Sequence, residues 1–442
     1  MPTSYLPYQP EQQFLLPPSP HEWLPEGHLA YYIGDTVDQL DLSAFHARYA
    51  KEGPRNQPFH PAMMVKVLLY GYATGVFSSR KIAAKLHEDV AFRVLAAGNF
   101  PKHRTLSDFR ALHLKELAAL FVQVVKLARE CGLVKLGTIT VDGTKLKANA
   151  SRHKAMSYGR MREEQAKLEA EIGQLLERAR RTDEKEDAQP QLDIPAELER
   201  REKRLEMIRA ARARLEARQA EEDATRGRKP GDERQARHPD GSPKRGKRYK
   251  REFGQPKDEQ QDNFTDPDSR IMKRAGGGFE QCYNAQAAVD AEKQIIVAAE
   301  LTNSAADSAQ LVPMLDAVEH NVGAAPEQAL ADAGYRGEEV FEQLHSRPTQ
   351  CLVALGREGR KQLEIDAAKY PHSAAMAARL DSEQGKSAYR RRKAIGEAPN
   401  GWIKHVLGFR QFSLRGLAKV SHEWKLACTA LNLRRMCTLA AA

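Results

Sequence analysis

The segment GLVKLGTITVDGTKLKANAS, residues 132–151, decides how the rest of the chain is interpreted. Polar and apolar side chains alternate over residues 138–141 and lead into Asp142 and Gly143, which predicts a strand. Asp-Gly after such a strand is typical of a two-residue hairpin turn, because both central residues of that turn need positive φ. The same aspartate could instead be a metal-binding carboxylate at the end of a buried strand. The segment alone leaves both alternatives open.

The composition sets broad limits on the function. The chain has 442 residues, and its 69 Lys and Arg against 59 Asp and Glu give a net charge of +10, which permits a polyanionic partner. Its cysteines are Cys131, Cys282, Cys351, Cys428 and Cys437. No two of them have C-x-x-C spacing, which argues against a disulfide framework or a zinc site. Neither a secretory leader nor an apolar run of roughly 20 residues is present, so we expect a cytoplasmic, nucleoid-associated protein with no membrane partner.

Two patterns precede the opening segment. Residues 1–40 begin with a proline-rich stretch and predict an extended N-terminal arm. Residues 41–132 predict a helical domain, because apolar side chains recur about every 3.6 residues. The domain could bind DNA through a helix-turn-helix whose reading helix starts near Thr105, with Arg104 and Arg110 as candidate contacts. A helical packing domain without DNA contacts is the alternative.

A charged insertion follows the opening segment. Residues 155–225 hold two stretches whose sparse apolar side chains fall on heptad seams, such as Leu168 and Leu175 in the first and Leu205 and Leu215 in the second. The pattern predicts an antiparallel helical hairpin that projects from the body. Its surface could be a dimer arm or a DNA clamp, or simply a solvated charged face.

A basic segment comes next, at residues 226–262. Its first part, residues 226–251, holds eleven Lys and Arg against three acids, with Gly and Pro throughout. We expect it to be flexible and to bind the DNA backbone by counterion release. The residues expected to contact DNA there are Lys244, Arg245, Lys247 and Arg248. A solubilising linker is the alternative.

The pattern becomes regular again after the basic segment. It predicts a β-hairpin of two strands, then a helix, a strand that ends at Asp332, another helix and another strand. The first of these helices is expected to begin with a D-x-x-Q capping box at Asp307 and Gln310. Together with the opening strand, this order predicts an α/β fold with a mixed sheet, formed by residues 133–154 and 263–442.

Three acidic residues are candidate metal ligands. Asp142 and Asp332 follow predicted strands, and the small residues after each leave room for a metal ion or a phosphate. Glu397 lies in a helical stretch, although Pro399 predicts that the helix begins at or after the glutamate or bends there. Hard divalent cations prefer such carboxylate ligands. The last stretch has the spacing Y-x2-R-x4-E-x6-K, formed by Tyr389, Arg392, Glu397 and Lys404.

At these residues the chain resembles bacterial insertion-sequence transposases of the DDE type, in the IS4-like superfamily. The similarity extends over nearly the whole chain and is carried by VDGTKLKANAS, YNAQAAVD, LTNSAADSAQLVPML, ADAGYRG and the C-terminal motif that begins YRRRKAIGEAPNGWIK. It implies an RNase H-like catalytic domain with Asp142, Asp332 and Glu397 as the metal-binding triad. It also implies contacts to the transposon-end strand from Tyr389, Arg392 and Lys404. The usual signature has three residues between Arg and Glu where this chain has four, so Arg391 and Lys393 stay alternatives to Arg392.

The resemblance also implies cofactors and partners. Two Mg²⁺ or Mn²⁺ ions about 3.5–4 Å apart would stabilise the attacking and leaving oxygens of a phosphodiester cleavage. The partners would be double-stranded DNA with terminal inverted repeats and target DNA, bound by a homodimer. An inactive end-binding regulator and an unrelated RNase H-like nuclease are the alternative functions.

Overall fold

The computed structural model describes residues 19, 22–49, 57–183, 194–234, 242, 246–274, 276–356 and 365–441. Within these ranges, helices pack on a mixed β-sheet, and a two-helix insertion leaves the sheet after its first strand. No helix in the described ranges is both long and apolar enough to cross a membrane.

Helices form the part of the chain before the sheet. In the described residues they are α1 (Leu29–Gln39), α2 (Ser43–Ala47), α3 (Pro61–Ala73), α4 (Ser79–Glu88), α5 (Val90–Leu95), α6 (His103–Leu112) and α7 (Leu114–Glu130). Helix α7 ends as expected, because Gly132 takes a φ of 72°, a left-handed conformation that favours glycine. The predicted helical character of this region is confirmed.

Helix α1 contradicts the extended arm predicted for residues 1–40 over Leu29–Gln39, whereas most of the proline-rich start of that arm lies outside the described residues. Its buried face carries Ala30, Ile33 and Val37, which recur at helical spacing. The ring Nδ1 of His28 accepts a hydrogen bond from the backbone N of Ala30 at 3.1 Å and so caps the helix. The pattern is short, and the proline-rich residues before it favour an extended conformation for the start of the chain.

The sheet has the predicted mixed character. Its strands, with the small pair β2 and β3, are β1 (Thr138–Lys147), β2 (Ala155–Ser157), β3 (Gln261–Asn263), β4 (Arg270–Lys273), β5 (Phe279–Asp290), β6 (Ile296–Thr302), β7 (Gln328–Ala331) and β8 (Gln350–Val353). The order is β4-β5-β1-β7-β8, and β6 also pairs with β5. Strand β1 runs antiparallel to β5 and parallel to β7, so the opening segment forms the centre of the sheet.

The hairpin-turn alternative for Asp142 and Gly143 is wrong. Both residues lie inside β1, opposite Ala287 and Gln286 of β5, and the pairing continues to Lys147. The two long strands supply a continuous ladder of backbone hydrogen bonds, and this outweighs the local preference of Asp-Gly for a turn.

The remaining helices are α8 (Tyr158–Asp183), α9 (Ile194–Thr225), α10 (Leu311–Val322), α11 (Glu338–His345), α12 (Pro371–Asp381), α13 (Glu383–Arg390), α14 (Arg392–Gly401) and α15 (Leu417–Ala440). Helix α14 begins before Glu397, so the prediction that it starts at or after the glutamate is wrong. Pro399 lies within the helix and is followed by a π-helical turn, Trp402–Val406. The wider turn accommodates the backbone where the proline has removed a donor.

Helix α15 joins the sheet to the N-terminal helices in one continuous core. It packs against β6 on one side and against α3 and α7 on the other. Trp424 is completely buried and donates its indole N–H to the backbone O of Gln286 at 3.0 Å. Glu423 beside it is also completely buried and accepts hydrogen bonds from the backbone N of Ser413 and of Leu414.

The insertion folds as the predicted helical hairpin. Helices α8 and α9 pack on each other around a small apolar cluster that includes Leu168, Leu205, Ile208 and Leu215. The two strands β2 and β3 pair antiparallel at its base, so the chain leaves and returns at one place. The heptad pattern therefore predicted the packing between the two helices correctly.

The basic segment is more structured than expected in its described part. The guanidinium of Arg228 lies 4.0 Å from the ring centroid of Tyr249, and its Nη1 is 3.2 Å from Asp223. Arg234 and Arg248 form an isolated antiparallel bridge. These contacts contradict the prediction of a flexible segment. The composition shows an excess of positive charge, but Arg228 is paired with Asp223 of α9, and this ion pair holds the segment to the helix. Lys244 and Arg245 lie outside the described residues.

Candidate active site

The two predicted aspartates lie at the point where the parallel pairing of β1 with β7 ends. The last parallel pair between β1 and β7 joins Val141 to Ala331, and the next residues are Asp142 and Asp332. Strand β7 ends at Ala331, whereas β1 continues to Lys147. Asp332 therefore begins the turn after β7, beside the middle of β1. Both acids therefore lie where β7 ends beside the middle of β1, and this place is called the crevice below.

The electrostatics of Asp142 support this proximity. Partial burial raises the pKa of its carboxyl group, and the negative charge of Asp332 raises it further. A hydrogen bond from Asn400 and the positive charge of Arg392 act in the opposite direction. The negative charge of one aspartate therefore acts on the other, as expected of a site that holds cations.

Helix α14 covers Asp142 closely because of Gly396. A Cβ atom built on Gly396 would lie 2.7 Å from the Cγ2 of Thr140 and 3.3 Å from the Cβ of Asp142. Any side chain there would push the helix away from β1. Arg392 and Asn400, one turn before and one turn after the glycine, share this buried face.

Asn400 is a site residue that the sequence did not reveal. Its Nδ2 donates a hydrogen bond to the Oδ2 of Asp142 at 3.0 Å, and its side chain is buried. The bond fixes the orientation of the carboxylate. A lone asparagine in a helix carries no sequence signal of such a contact, because only the packing of α14 on β1 creates it.

Glu397 is placed differently from the two aspartates. It directly follows Gly396 on α14, but its side chain is exposed. In the ranges that the structure describes, no three His, Cys, Asp or Glu side chains are arranged to hold a metal ion. The structure thus brings Asp142 and Asp332 together and leaves Glu397 on the covering helix, one residue beyond the contact.

Tyr389 and Arg392 support the end of β7. The hydroxyl of Tyr389 donates to the backbone O of Ala331 at 3.3 Å, directly before Asp332. The guanidinium of Arg392 lies 5.7 Å from the centroid of the Tyr389 ring, and its buried Nε has no hydrogen-bond partner in the structure. Three residues are candidates for the arginine position of the signature, and two of them, Arg391 and Lys393, are exposed. Arg392 is therefore the one whose charge acts on Asp142.

Lys404 lies on the same face of β1 as Asp142. Its ammonium donates a hydrogen bond to the hydroxyl of Thr144, two residues beyond the aspartate. Burial lowers the pKa of Lys404, and the positive charge of Arg274 lowers it further, whereas Asp142 raises it. Positive charge is thus concentrated beside the acidic pair.

Asp307 was assigned the wrong role by the sequence pattern. Helix α10 begins at Leu311 with Gln310 as its N-cap and without a side-chain cap, so the predicted capping box is not formed. The carboxylate instead pairs with Lys145, whose Nζ is 3.0 Å from its Oδ1. The hydrogen bond and ion pair with Lys145, which is distant in sequence, outweigh the preference of Asp307 for capping the nearby helix. This makes Asp307 a second residue near the crevice that the sequence missed.

The other predicted DNA contacts have different surroundings. Arg110 is buried, and its Nη1 donates to the hydroxyl of Tyr72 at 3.2 Å and to the backbone O of Phe77 at 3.1 Å. The prediction that Arg110 contacts DNA is therefore wrong, since its charge is used inside the helical region. The side chain of Arg104 is 87% exposed. It stays a candidate.

The residues present suit a hard divalent cation. Asp142 and Asp332 offer carboxylate oxygens, which are the ligands that Mg²⁺ and Mn²⁺ take. The pKa of Asp142 is raised mainly by burial and also by the charge of Asp332, and a cation between the two carboxylates would favour their charged forms. Glu397 is on α14, the helix that packs on Asp142, and is the candidate third carboxylate.

Comparison with known families gives two matches. The family described as Transposase domain (DUF772) matches residues 18–112, and the family described as Transposase DDE domain matches residues 241–433. Both descriptions name transposase domains, and together the two matches support an insertion-sequence transposase. No curated protein and no solved structure matches it.

The fold adds a strand to the matched transposase DDE domain. The match starts at residue 241, after β1 and the helical hairpin. Strand β1 nevertheless pairs with β5 and β7, both of which lie inside the matched range. The sheet of this transposase domain therefore includes Asp142, although the insertion separates that residue from the match along the chain.

Proposed function

We propose that this chain is a DDE transposase that cuts the ends of an insertion sequence and joins them to target DNA. The observation that carries the proposal is that Asp142 and Asp332 both follow the last parallel pair of β1 and β7, and that α14, which packs on Asp142, also bears Glu397. We also propose that the sheet is RNase H-like, with its antiparallel strands on one side of β1 and its parallel strands on the other.

Asp142, Asp332 and Glu397 would hold the divalent cations. When bound, two such ions supply charge stabilisation for the attacking and leaving oxygens of a phosphodiester. The protein's own contribution is to keep the carboxylates oriented. Asn400 fixes Asp142, and Tyr389 holds the backbone before Asp332.

The positive charge near the acids suits the phosphates of DNA. Lys404, in the π-helical turn after α14, donates to Thr144 two residues beyond Asp142, and the buried guanidinium of Arg392 has an unpaired Nε. An unpaired buried donor is costly unless a ligand uses it, and a phosphate oxygen is a suitable acceptor. The other proposed DNA contacts are Arg104, Lys247 and Arg248, with Lys244 and Arg245 outside the described residues. Two ends must be paired, so we propose a homodimer on DNA, in the nucleoid.

The test is an end-cleavage assay on DNA that carries the inverted repeats flanking the gene. We expect Mg²⁺- or Mn²⁺-dependent cleavage at the repeat ends and strand transfer into a second duplex. Glu397→Gln should lower the rate of end cleavage at least about 100-fold. Removing a group that only supports a metal ligand typically costs about 10- to 100-fold, and removing a ligand itself should cost no less. The matched control is Glu383→Gln on the preceding helix, whose carboxylate is 97% exposed; its rate should be unchanged.

The alternatives give different results in the same assay. An inactive regulator would bind the repeat ends and leave them intact. A nuclease of another kind would cut without preference for the ends. Cleavage at the wild-type rate by Glu397→Gln would remove that residue from the triad.

Asn400→Leu tests the support of Asp142. Loss of the hydrogen bond should lower the end-cleavage rate about 10- to 100-fold, because the carboxylate loses its fixed orientation. The control is Asn321→Leu, since Asn321 is also buried and donates to a strand, at the backbone O of Val297. If both variants lose activity equally, or only in proportion to their melting temperatures, Asn400 has a purely structural role.

A further inference from the structure

Asp307 lies beneath the crevice, on the opposite face of β1 from Asp142. Side chains alternate along a strand, so Gly143 and Lys145 point to the face that Asp142 does not. The loop between β6 and α10 brings Asp307 to this face, where its side chain is 22% exposed.

The carboxylate of Asp307 is fixed by three donors. Its Oδ1 accepts from the Nζ of Lys145 at 3.0 Å, from the Nδ2 of Asn284 at 2.6 Å and from the Nε2 of Gln286 at 2.8 Å. All three donors come from β1 and β5 of the sheet. Such a set leaves the side chain little freedom, and it engages Oδ1 fully, whereas among the described residues Oδ2 accepts only from the Nζ of Lys145 at 3.3 Å.

The same carboxylate fills the space that a side chain would need at two glycines, each close in sequence to one of the aspartates of the crevice. A Cβ on Gly143 would lie 2.8 Å from the Oδ1 of Asp307, and a Cβ on Gly334 would lie 3.4 Å from its Oδ2. Gly143 directly follows Asp142. Gly334 is the residue whose backbone N donates to the Oδ1 of Asp332 at 2.7 Å.

We infer that Asp307 is a positioning residue that sets the separation of Asp142 and Asp332. It is held to the sheet by three donors, and its two oxygens lie close to where a Cβ on Gly143 or on Gly334 would be placed. The carboxylate therefore acts as a fixed spacer between the strand that carries Asp142 and the turn that carries Asp332. The inference rests on the proposed function, since it gives Asp307 a role at that site.

The test separates metal binding from catalysis. Mn²⁺ binding to the DNA-free protein is measured by electron paramagnetic resonance, and the Mg²⁺ concentration for half-maximal end cleavage is measured separately. We expect Asp307→Ala to weaken Mn²⁺ binding and to raise the half-maximal Mg²⁺ concentration, each by about 10-fold or more. Binding of repeat-end DNA should be unchanged, because Asp307 contributes through the acids.

Asp316→Ala is the matched control. Asp316 lies on α10, and its carboxylate is 58% exposed and paired with Arg347. This variant should bind Mn²⁺ like the wild type. If Asp307→Ala does not fold, Lys145→Met serves instead, since it keeps the aliphatic stem and removes the ion pair; it should show a smaller shift in the same direction.

The outcomes distinguish this inference from the proposed function. Wild-type Mn²⁺ affinity in a folded Asp307→Ala variant overturns the inference and leaves the proposed function intact. A wild type that binds Mn²⁺ but never cuts repeat ends overturns the proposed function, while the affinities of the variants still decide the role of Asp307. A wild type that binds no Mn²⁺ overturns both.

Discussion

Asp142→Asn is expected to abolish cleavage of transposon-end DNA, with a loss of at least about 10³-fold in rate. Removal of one preorganised electrostatic group commonly costs about 10²–10³-fold, and Asp142 lies at the centre of the proposed site. The amide keeps the shape and the hydrogen bond to Asn400, so packing on α14 should be preserved. The measurement is single-turnover cleavage of labelled repeat-end DNA, with end binding measured in parallel and expected to be retained. Full activity of this variant would refute the assignment of the site.

The thermal stability of the same variant gives an independent check. The pKa of Asp142 is raised in the folded chain, mainly by burial, so folding favours its protonated form. Its stabilising effect is present below the ordinary carboxyl pKa and is lost as the pH rises through the raised value. Asparagine cannot ionise. In EDTA at pH 7 the variant should therefore melt higher than the wild type, by about 2 °C, and the difference should vanish in acid.

Glu423→Ala is expected to produce the largest loss of stability. Its buried carboxyl group accepts from the backbone N of Ser413 and of Leu414 and from the hydroxyl of Tyr72. The alanine would leave these donors buried and unpaired, which should lower the free energy of unfolding by roughly 3–5 kcal/mol. Thermal or denaturant unfolding measures this.

The control for Glu423 is Lys419→Ala, one turn earlier on α15 and exposed. It should leave the free energy of unfolding within about 0.5 kcal/mol of the wild type. Arg110→Met removes the donor at the other end of this network, because Arg110 binds the hydroxyl of Tyr72. An undisturbed melting temperature in Glu423→Ala would show that water replaces the lost acceptor.

Much of the fold followed from local patterns in the sequence. The hairpin of β5 and β6, the pairing of α8 with α9 and the end of α7 at Gly132 each depend on residues within or next to the element. Alternation, heptad spacing and a terminal glycine report such local preferences directly. The sequence also predicted the strand that leads to Asp142. Whether the strand continues through Asp142 and Gly143 or turns there stayed open, because Asp-Gly occurs in turns and is also compatible with a paired strand.

The surroundings of the site could not be predicted in the same way. Asn400 and Asp307 act through contacts with residues more than a hundred positions away in the sequence or on another strand. Arg110 looked like a surface cation at a helix start, and only the fold shows that Tyr72 and Phe77 bury it. A sequence records which groups are present, whereas packing decides which of them meet.

The closed base of the helical hairpin has a consequence for folding during synthesis. Strand β1 leaves the ribosome long before its partners β5 and β7, so the central strand of the sheet must wait unpaired. The hairpin has its own apolar cluster, and the backbone N of Phe264 donates to the O of Lys154 at 2.9 Å across its base. If it folds first, the effective loop between β1 and β5 becomes much shorter, which saves about 1 kcal/mol of closure entropy. The insertion then brings the two halves of the sheet together as translation proceeds.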